Sequence, residues 1–112
     1  MSERSGRPAS QEEAGRRGGD GFDEVIHAPV RLRLCAILDT LGEVEFAQLL
    51  DVLGVSKSAL SKHIATLAEA GYVEQRRAVR DTRQRVWLHL TAAGYSAYHD
   101  HVAALEAIIG YR

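Results

Sequence analysis

The sequence predicts a mainly α-helical α+β domain in the order α-α-β-α-α-β-β-α, and three observations carry that expectation. Apolar residues recur at helical spacing through Val30–Leu41, Phe46–Leu53, Lys57–Ala70 and again beyond Thr91. The period drops to two between Tyr72 and Leu90, the mark of a half-buried strand. Gly42, Gly54 and Gly71 stand where each of the first three helical patterns breaks, the position glycine favours at a helix end. The chain has 112 residues, 46% hydrophobic and 26% charged, which suits one folded domain. Aromatics make up only 6%, so the core is expected to be aliphatic.

The elements follow in order. Residues 1–21 hold five glycines and only Met1, Ala9 and Ala14 as apolar residues, too little to offset ordering entropy, so they read as a disordered tail ahead of a domain over 22–112. Phe22, Val25 and Ile26 fit one helical turn, and Pro29 suits the first position of the next helix, where its missing N–H costs nothing. Val30, Leu34, Ile37, Leu38 and Leu41 form that helix's stripe; Leu32 and Cys35 lie off it, covered either by the preceding turn or by a second subunit. Glu43-Val44-Glu45 is a brief extended link. Phe46, Leu49, Leu50 and Leu53 make a helix of about two turns, and Ser56 is a good N-cap for Lys57–Ala70. Two helices joined by this tight glycine-containing turn are a helix-turn-helix. Tyr72–Val79 is the first strand of a hairpin, Arg80–Gln84 its polar turn, and Val86, Leu88 and Leu90 alternate with Arg85, Trp87 and His89 in the second. Thr91 caps a last helix over about 91–110, whose Tyr95, Tyr98, Val102, Leu105 and Ile109 fall at spacings of three and four.

Charge is segregated along the chain. The formal total is −1, yet residues 22–55 carry two basic against six acidic side chains, and residues 56–90 carry seven basic against three acidic. A polyanion-binding surface needs positive charge gathered on one face, not a high average. In the helix Lys57–Ala70, Leu60, Ile64 and Leu67 occupy one side and leave Ser58, Ser61, Lys62 and Ala65 opposite, with Thr66 at the edge. Small, hydroxylic and basic side chains are what a helix presents to a major groove about 12 Å wide. An ordinary solvated face tends instead toward Glu, Lys and Gln. Ser56, Lys57 and Ala59 complete the expected contact set at the helix N-terminus, and His63 reads as a partly buried structural residue. The hairpin contributes Arg77, Arg80, Arg83 and Arg85, guanidinium groups suited to phosphates or to a narrow minor groove.

The run Leu53-Gly54-Val55-Ser56-Lys57-Ser58-Ala59-Leu60-Ser61-Lys62-His63-Ile64, then Leu67, Glu69-Ala70-Gly71-Tyr72-Val73 and finally Leu90-Thr91-Ala92-Ala93-Gly94, resembles the winged helix-turn-helix regulators of the MarR and ArsR kind over residues 22–110. The resemblance implies a winged helix fold, double-stranded DNA as partner and repression as the commoner outcome. The chain is shorter than a typical MarR-type protein, which normally has longer helices flanking the winged domain. A small-molecule effector is left open.

A lone domain cannot easily cover Tyr95, Tyr98, Val102, Leu105 and Ile109, so the last helix is expected to form a homodimer interface, joined by Leu32 and Cys35. Paired recognition helices would then meet a near-palindromic operator with half-sites about 34 Å apart. Other classes find less support. One cysteine makes no internal disulfide, no Cys/His spacing makes a zinc site, and His99-Asp100-His101 are consecutive and diverge around a helix. No phosphate-binding glycine loop or nucleophile elbow appears, so no catalytic residue, metal or cofactor is expected. The remaining alternatives are a winged domain that binds protein and a regulator responding to metal or redox state. With no apolar span of about 18 residues and no signal peptide, the expected location is cytoplasmic and not membrane-bound.

Overall fold

A computed structural model describes residues 19–110; the expectation of a disordered tail falls, for residues 1–18, outside the described residues. The elements are α1 (Glu24–His27), α2 (Pro29–Leu41), β1 (Val44–Glu45), α3 (Phe46–Leu53), α4 (Lys57–Glu69), β2 (Val73–Arg80), β3 (Arg83–Leu90) and α5 (Ala92–Ile108). The order is the one the sequence predicts. Asp23 caps α1, its Oδ1 accepting from the N–H of Val25 and Ile26 at 2.8 and 3.3 Å. Pro29 is the first residue of α2. Ser56 caps α4, its Oγ accepting from Ala59 N–H at 3.1 Å, and Thr91 caps α5 in the same way through Gly94.

The C-terminus of α4 sets the direction of the hairpin. Tyr72 N–H reaches back to Leu67 C=O and Gly71 N–H to Ala68 C=O, both at 2.9 Å, with Gly71 at φ +83°. This six-to-one, five-to-two pair turns the chain sharply out of the helix and seats buried Tyr72 against buried Leu67. The hairpin differs from the expected one in its turn. β2 and β3 pair in register up to Arg80↔Arg83, leaving a two-residue turn of Asp81 and Thr82, both at positive φ (51° and 61°). Positive φ at both central residues matches the right-handed twist of the strands, which a longer loop would not need. The expected link at Glu43–Glu45 is also more than a link: Val44 and Glu45 pair antiparallel with Leu88 and Trp87, so the sheet runs β1-β3-β2.

The core is aliphatic, as expected, with Ile26, Leu34, Leu49, Leu60, Leu67 and Leu88 fully buried. The α2 stripe sits differently from its sequence reading. On α2 the buried face is Leu34, Cys35 and Leu38, whereas Leu41 is 63% exposed. On α5 the buried face is Gly94, Ala97, His101 and Ala104, not the large residues. At about 100° per residue, the Tyr95–Ile109 stripe lies roughly a quarter turn away from it. Small residues face inward because α5 comes so close to the chain entering β2 that a Cβ on Gly94 would stand 2.0 Å from Tyr72 C=O.

Candidate nucleic-acid interface

The turn Gly54-Val55-Ser56 sets α4 across α3 with Leu60, Ile64 and Leu67 buried behind it. Ser56, Lys57, Ser58, Ser61, Lys62 and Ala65 are all exposed, and Ala59 and Thr66 are half-buried. Thr66 spends its hydroxyl on Lys62 C=O at 3.0 Å, which leaves less of it for an external partner. His63 sits at the edge, its Nδ1 3.1 Å from the Arg31 guanidinium. Partial burial, as expected, and that neighbouring cation hold its pKa below the usual imidazole value.

The register of the hairpin divides three of the expected wing arginines, Arg77, Arg83 and Arg85, between two faces. Residues directly opposite share a face, so Val73, Gln75 and Arg77 lie with Leu90, Leu88 and Val86 on the core side, and Arg83 and Arg85 on the other. Arg77 is thereby brought to α4: a cleft of about 200 Å³ is lined by Phe46, Ser61, Ile64, Ala65, Gln75 and Arg77. Arg77 is exposed and makes no ion pair among the described residues, so its charge faces the cleft unneutralised. Gln75, which sequence reasoning passed over, joins it there; strand parity with Arg77 was the signal. Arg83 is exposed next to the turn, and of Arg80 only the backbone pairing with Arg83 is described.

Arg85 is a correction. It is half-buried and bound to Glu45 at 2.8 Å, with its Nε buried and unpartnered, so it braces β3 to β1 instead of offering a free cation. Arg76 behaves alike: it forks onto Glu43 at 3.1 and 3.0 Å and lies 5.7 Å over the Trp87 ring. That contact holds the Glu43 carboxyl below the usual carboxylate range. The two link glutamates thus neutralise two of the seven basic side chains counted in residues 56–90, and among the described side chains the exposed positive charge concentrates on Lys57, Lys62, Arg77 and Arg83.

Cys35 is the second correction. It is fully buried in the core, which removes it from any subunit contact, while Leu32 packs partly buried against the same core. Burial, reinforced by the Asp23 carboxylate, pushes its thiol pKa up to about 12. A buried thiol held that far from its thiolate is inert as a nucleophile or redox sensor. Native protein at pH 8 is therefore expected to resist a thiol reagent, labelling only as fast as it unfolds; fast stoichiometric labelling of this single cysteine would contradict its placement. His101 is likewise buried, and His99 bonds Asp39 at 2.9 Å. Of the dimer stripe, Tyr95 and Ile109 are exposed at 55% and 72%, and Tyr98, Val102 and Leu105 are half-buried.

A helix-turn-helix whose second helix shows small and basic side chains, flanked by a three-stranded sheet with an arginine-bearing hairpin, defines a winged helix DNA-binding module. The chain belongs to the winged helix DNA-binding domain family, whose profile matches residues 30–109. It is 27% identical over 79 residues to an uncharacterized protein of Methanocaldococcus jannaschii, covering 70% of this chain and 86% of that one. A solved transcriptional regulator homologue from Pyrococcus horikoshii superposes with a TM-score of 0.73 at 27% identity, covering 77% of this chain and 85% of the other. The transcriptional repressor BigR from Xylella fastidiosa gives a TM-score of 0.57 at 30% identity, covering 78% of each chain. The resemblance to MarR- and ArsR-type regulators thus holds at the level of family and fold. Both point to a DNA-binding domain and not to an enzyme. Among the described residues, no helix is long and apolar enough to cross a membrane.

Proposed function

We propose that this protein is a sequence-specific, double-stranded DNA-binding transcriptional regulator acting as a cytoplasmic homodimeric repressor. The observation that carries the reading is the exposed set Ser58, Ser61 and Lys62 on α4, backed by buried Leu60, Ile64 and Leu67 and faced across a cleft by Arg77. In this reading the N-terminal half of α4 enters the major groove with the positive end of its dipole toward the phosphates. Ser56, Lys57 and Arg77 grip the backbone, Lys62 reads a base edge, and Arg80 and Arg83 at the hairpin tip reach the adjacent minor groove or its phosphates.

Exposed Tyr95 and Ile109, continued by Tyr98, Val102 and Leu105, form the self-complementary surface of the dimer, with Leu32 at its margin. A two-fold axis along α5 presents the two α4 helices to half-sites about 34 Å apart, hence a near-palindromic operator. A solved protein of this fold, NadR, is in complex with 4-hydroxyphenylacetate, which keeps a small-molecule effector within the reading.

Selection of bound sequences from random duplexes tests recognition, half-site symmetry and spacing together. On the selected operator, affinity should fall with salt at a log–log slope near −0.9 per phosphate neutralised. Lys62→Ala should weaken operator binding by about 1–3 kcal/mol and relax one position. Arg77→Ala and Arg83→Ala should weaken all sequences alike and each reduce the salt slope by about one. Duplex binding by all three variants equal to that of the parent would end the docking scheme.

A further inference from the structure

Beneath the N-terminal turn lies a buried polar cluster that DNA binding does not use. Asp23 N–H donates to His101 Nδ1 at 2.9 Å, and His101 Nε2 faces His27 Nδ1 at 3.3 Å. Phe22 packs on both imidazoles with ring centroids 4.7 Å away. Asp23 and His101 are fully buried, and His27 is exposed on its outer side.

These bonds admit one protonation state. A ring nitrogen that accepts from a backbone N–H carries no proton, so neutral His101 holds its hydrogen on Nε2 and donates to His27 Nδ1. His27 in turn keeps its own hydrogen on Nε2, toward solvent. A second proton on His101 would set N–H against the Asp23 N–H. One on His27 Nδ1 would set N–H against His101 Nε2–H. Either breaks the chain of bonds between the segment Gly21–His27 and α5.

We propose that the His27–His101 pair is a proton-operated latch that holds the N-terminal segment and α1 onto α5 at neutral pH and loosens them in mildly acid solution. The proposal goes beyond the DNA-binding reading and does not depend on it.

Several of the groups around the pair are already engaged with other partners. The Asp23 carboxylate is committed to Val25 and Ile26 N–H and to Tyr72 O–H at 2.6 Å. Asp20 accepts from Phe22 N–H, and Glu24 is exposed on α1. From α2, Arg31 is turned to Val25 C=O and His63, and Cys35 is a buried neutral thiol. From α5, the backbone of Asp100 comes so near that a Cβ added at Gly21 would stand 3.0 Å from its C=O, so the segment passes close to the helix there. Burial, then the facing His27, hold the His101 pKa below the usual imidazole value, against the opposing pull of Asp23, Glu24 and Asp20. The folded form therefore binds fewer protons than the opened form. Its stabilisation is present above pH about 6.5 and is lost as pH falls below that.

The test is amide hydrogen exchange of the free full chain between pH 7.5 and 5, corrected for intrinsic rates. Protection at Val25, Ile26 and His27 should drop as pH falls through 6.5, approaching tenfold per pH unit for one linked proton, while Leu60 and Leu67 in α4 stay protected. Nitrogen shifts of the imidazoles should place the His101 proton on Nε2 at pH 7.5. His101→Asn, which keeps an acceptor for Asp23 N–H, should flatten the pH dependence, and His27→Gln, at an exposed position, should weaken it to the part that burial of His101 causes. Protection in α1 that does not change between pH 7.5 and 5, or that falls in His101→Asn as it does in the parent, would overturn the latch. A His101 doubly protonated at pH 7.5 would do the same. None of these readings involves DNA, so failure here leaves the operator experiment untouched, and the reverse.

Discussion

Gly94→Ala is expected to cost at least about 3 kcal/mol, at or beyond the upper end for overpacking substitutions. The added methyl would lie 2.0 Å from Tyr72 O, 2.8 Å from its carbonyl carbon and 3.0 Å from its Cα, all backbone atoms. They have no room to retreat. Tyr72 C=O accepts from Thr91 N–H at 3.0 Å, and Thr91 O–H donates to Gly71 C=O at 2.6 Å, pinning the start of α5 to the start of β2. Alanine is otherwise the better helix former by about 1 kcal/mol, so propensity and packing oppose each other and the clash decides. Native domains hold about 5–15 kcal/mol in all, and a domain of this size loses roughly 4–8 °C in Tm per kcal/mol. Thermal melts followed by circular dichroism should show Tm lowered by more than about 12 °C on that scale. An alanine variant melting within a few degrees of the parent would mean that α5 does not approach Tyr72 this closely.

The second large effect is expected at Asp23. Asp23→Ala removes the cap of α1, worth about 1 kcal/mol, and takes from the buried Tyr72 hydroxyl an acceptor at 2.6 Å, worth a further 1–3 kcal/mol or so. The expected loss is about 2–4 kcal/mol by denaturant unfolding with m unchanged. Asp23→Asn keeps an oxygen for the Val25 and Ile26 amides and should cost clearly less. Tyr72→Phe leaves Asp23 Oδ2 without its donor, so the two losses should be non-additive in a double-mutant cycle. Full additivity would separate the two residues and contradict the bond.

Much of this was legible in the chain. Leu60, Ile64 and Leu67 at helical spacing fix which side of α4 is buried, and therefore that Ser58, Ser61 and Lys62 face out. Gly54, Ser56, Gly71 and Thr91 announce their helix ends because each performs a local job, a turn or a cap, that needs no distant partner. The wing was legible in kind but not in detail. Taking Arg80–Gln84 as the turn hid the parity that separates Arg77 from Arg83 and Arg85, since one residue of register moves every side chain to the other face. Arg85 read as a free cation because its partner, Glu45, lies 40 residues away.

The terminal helix shows the same division. Its large side chains form the apolar stripe that the spacing marks, while which residues face inward, Gly94, Ala97, His101 and Ala104, is set by how closely α5 approaches the rest of the chain. The sequence by itself determined the order of elements, the helix-turn-helix, the outward chemistry of α4 and the sign of the charge around it, because these follow from spacing and caps within a few residues. Only the tertiary structure decided which arginines stay free, that Cys35 is sealed, and that His101 is buried against Asp23 and His27. Each of those depends on how closely two distant backbones approach, and that distance is set by the packing of the whole core.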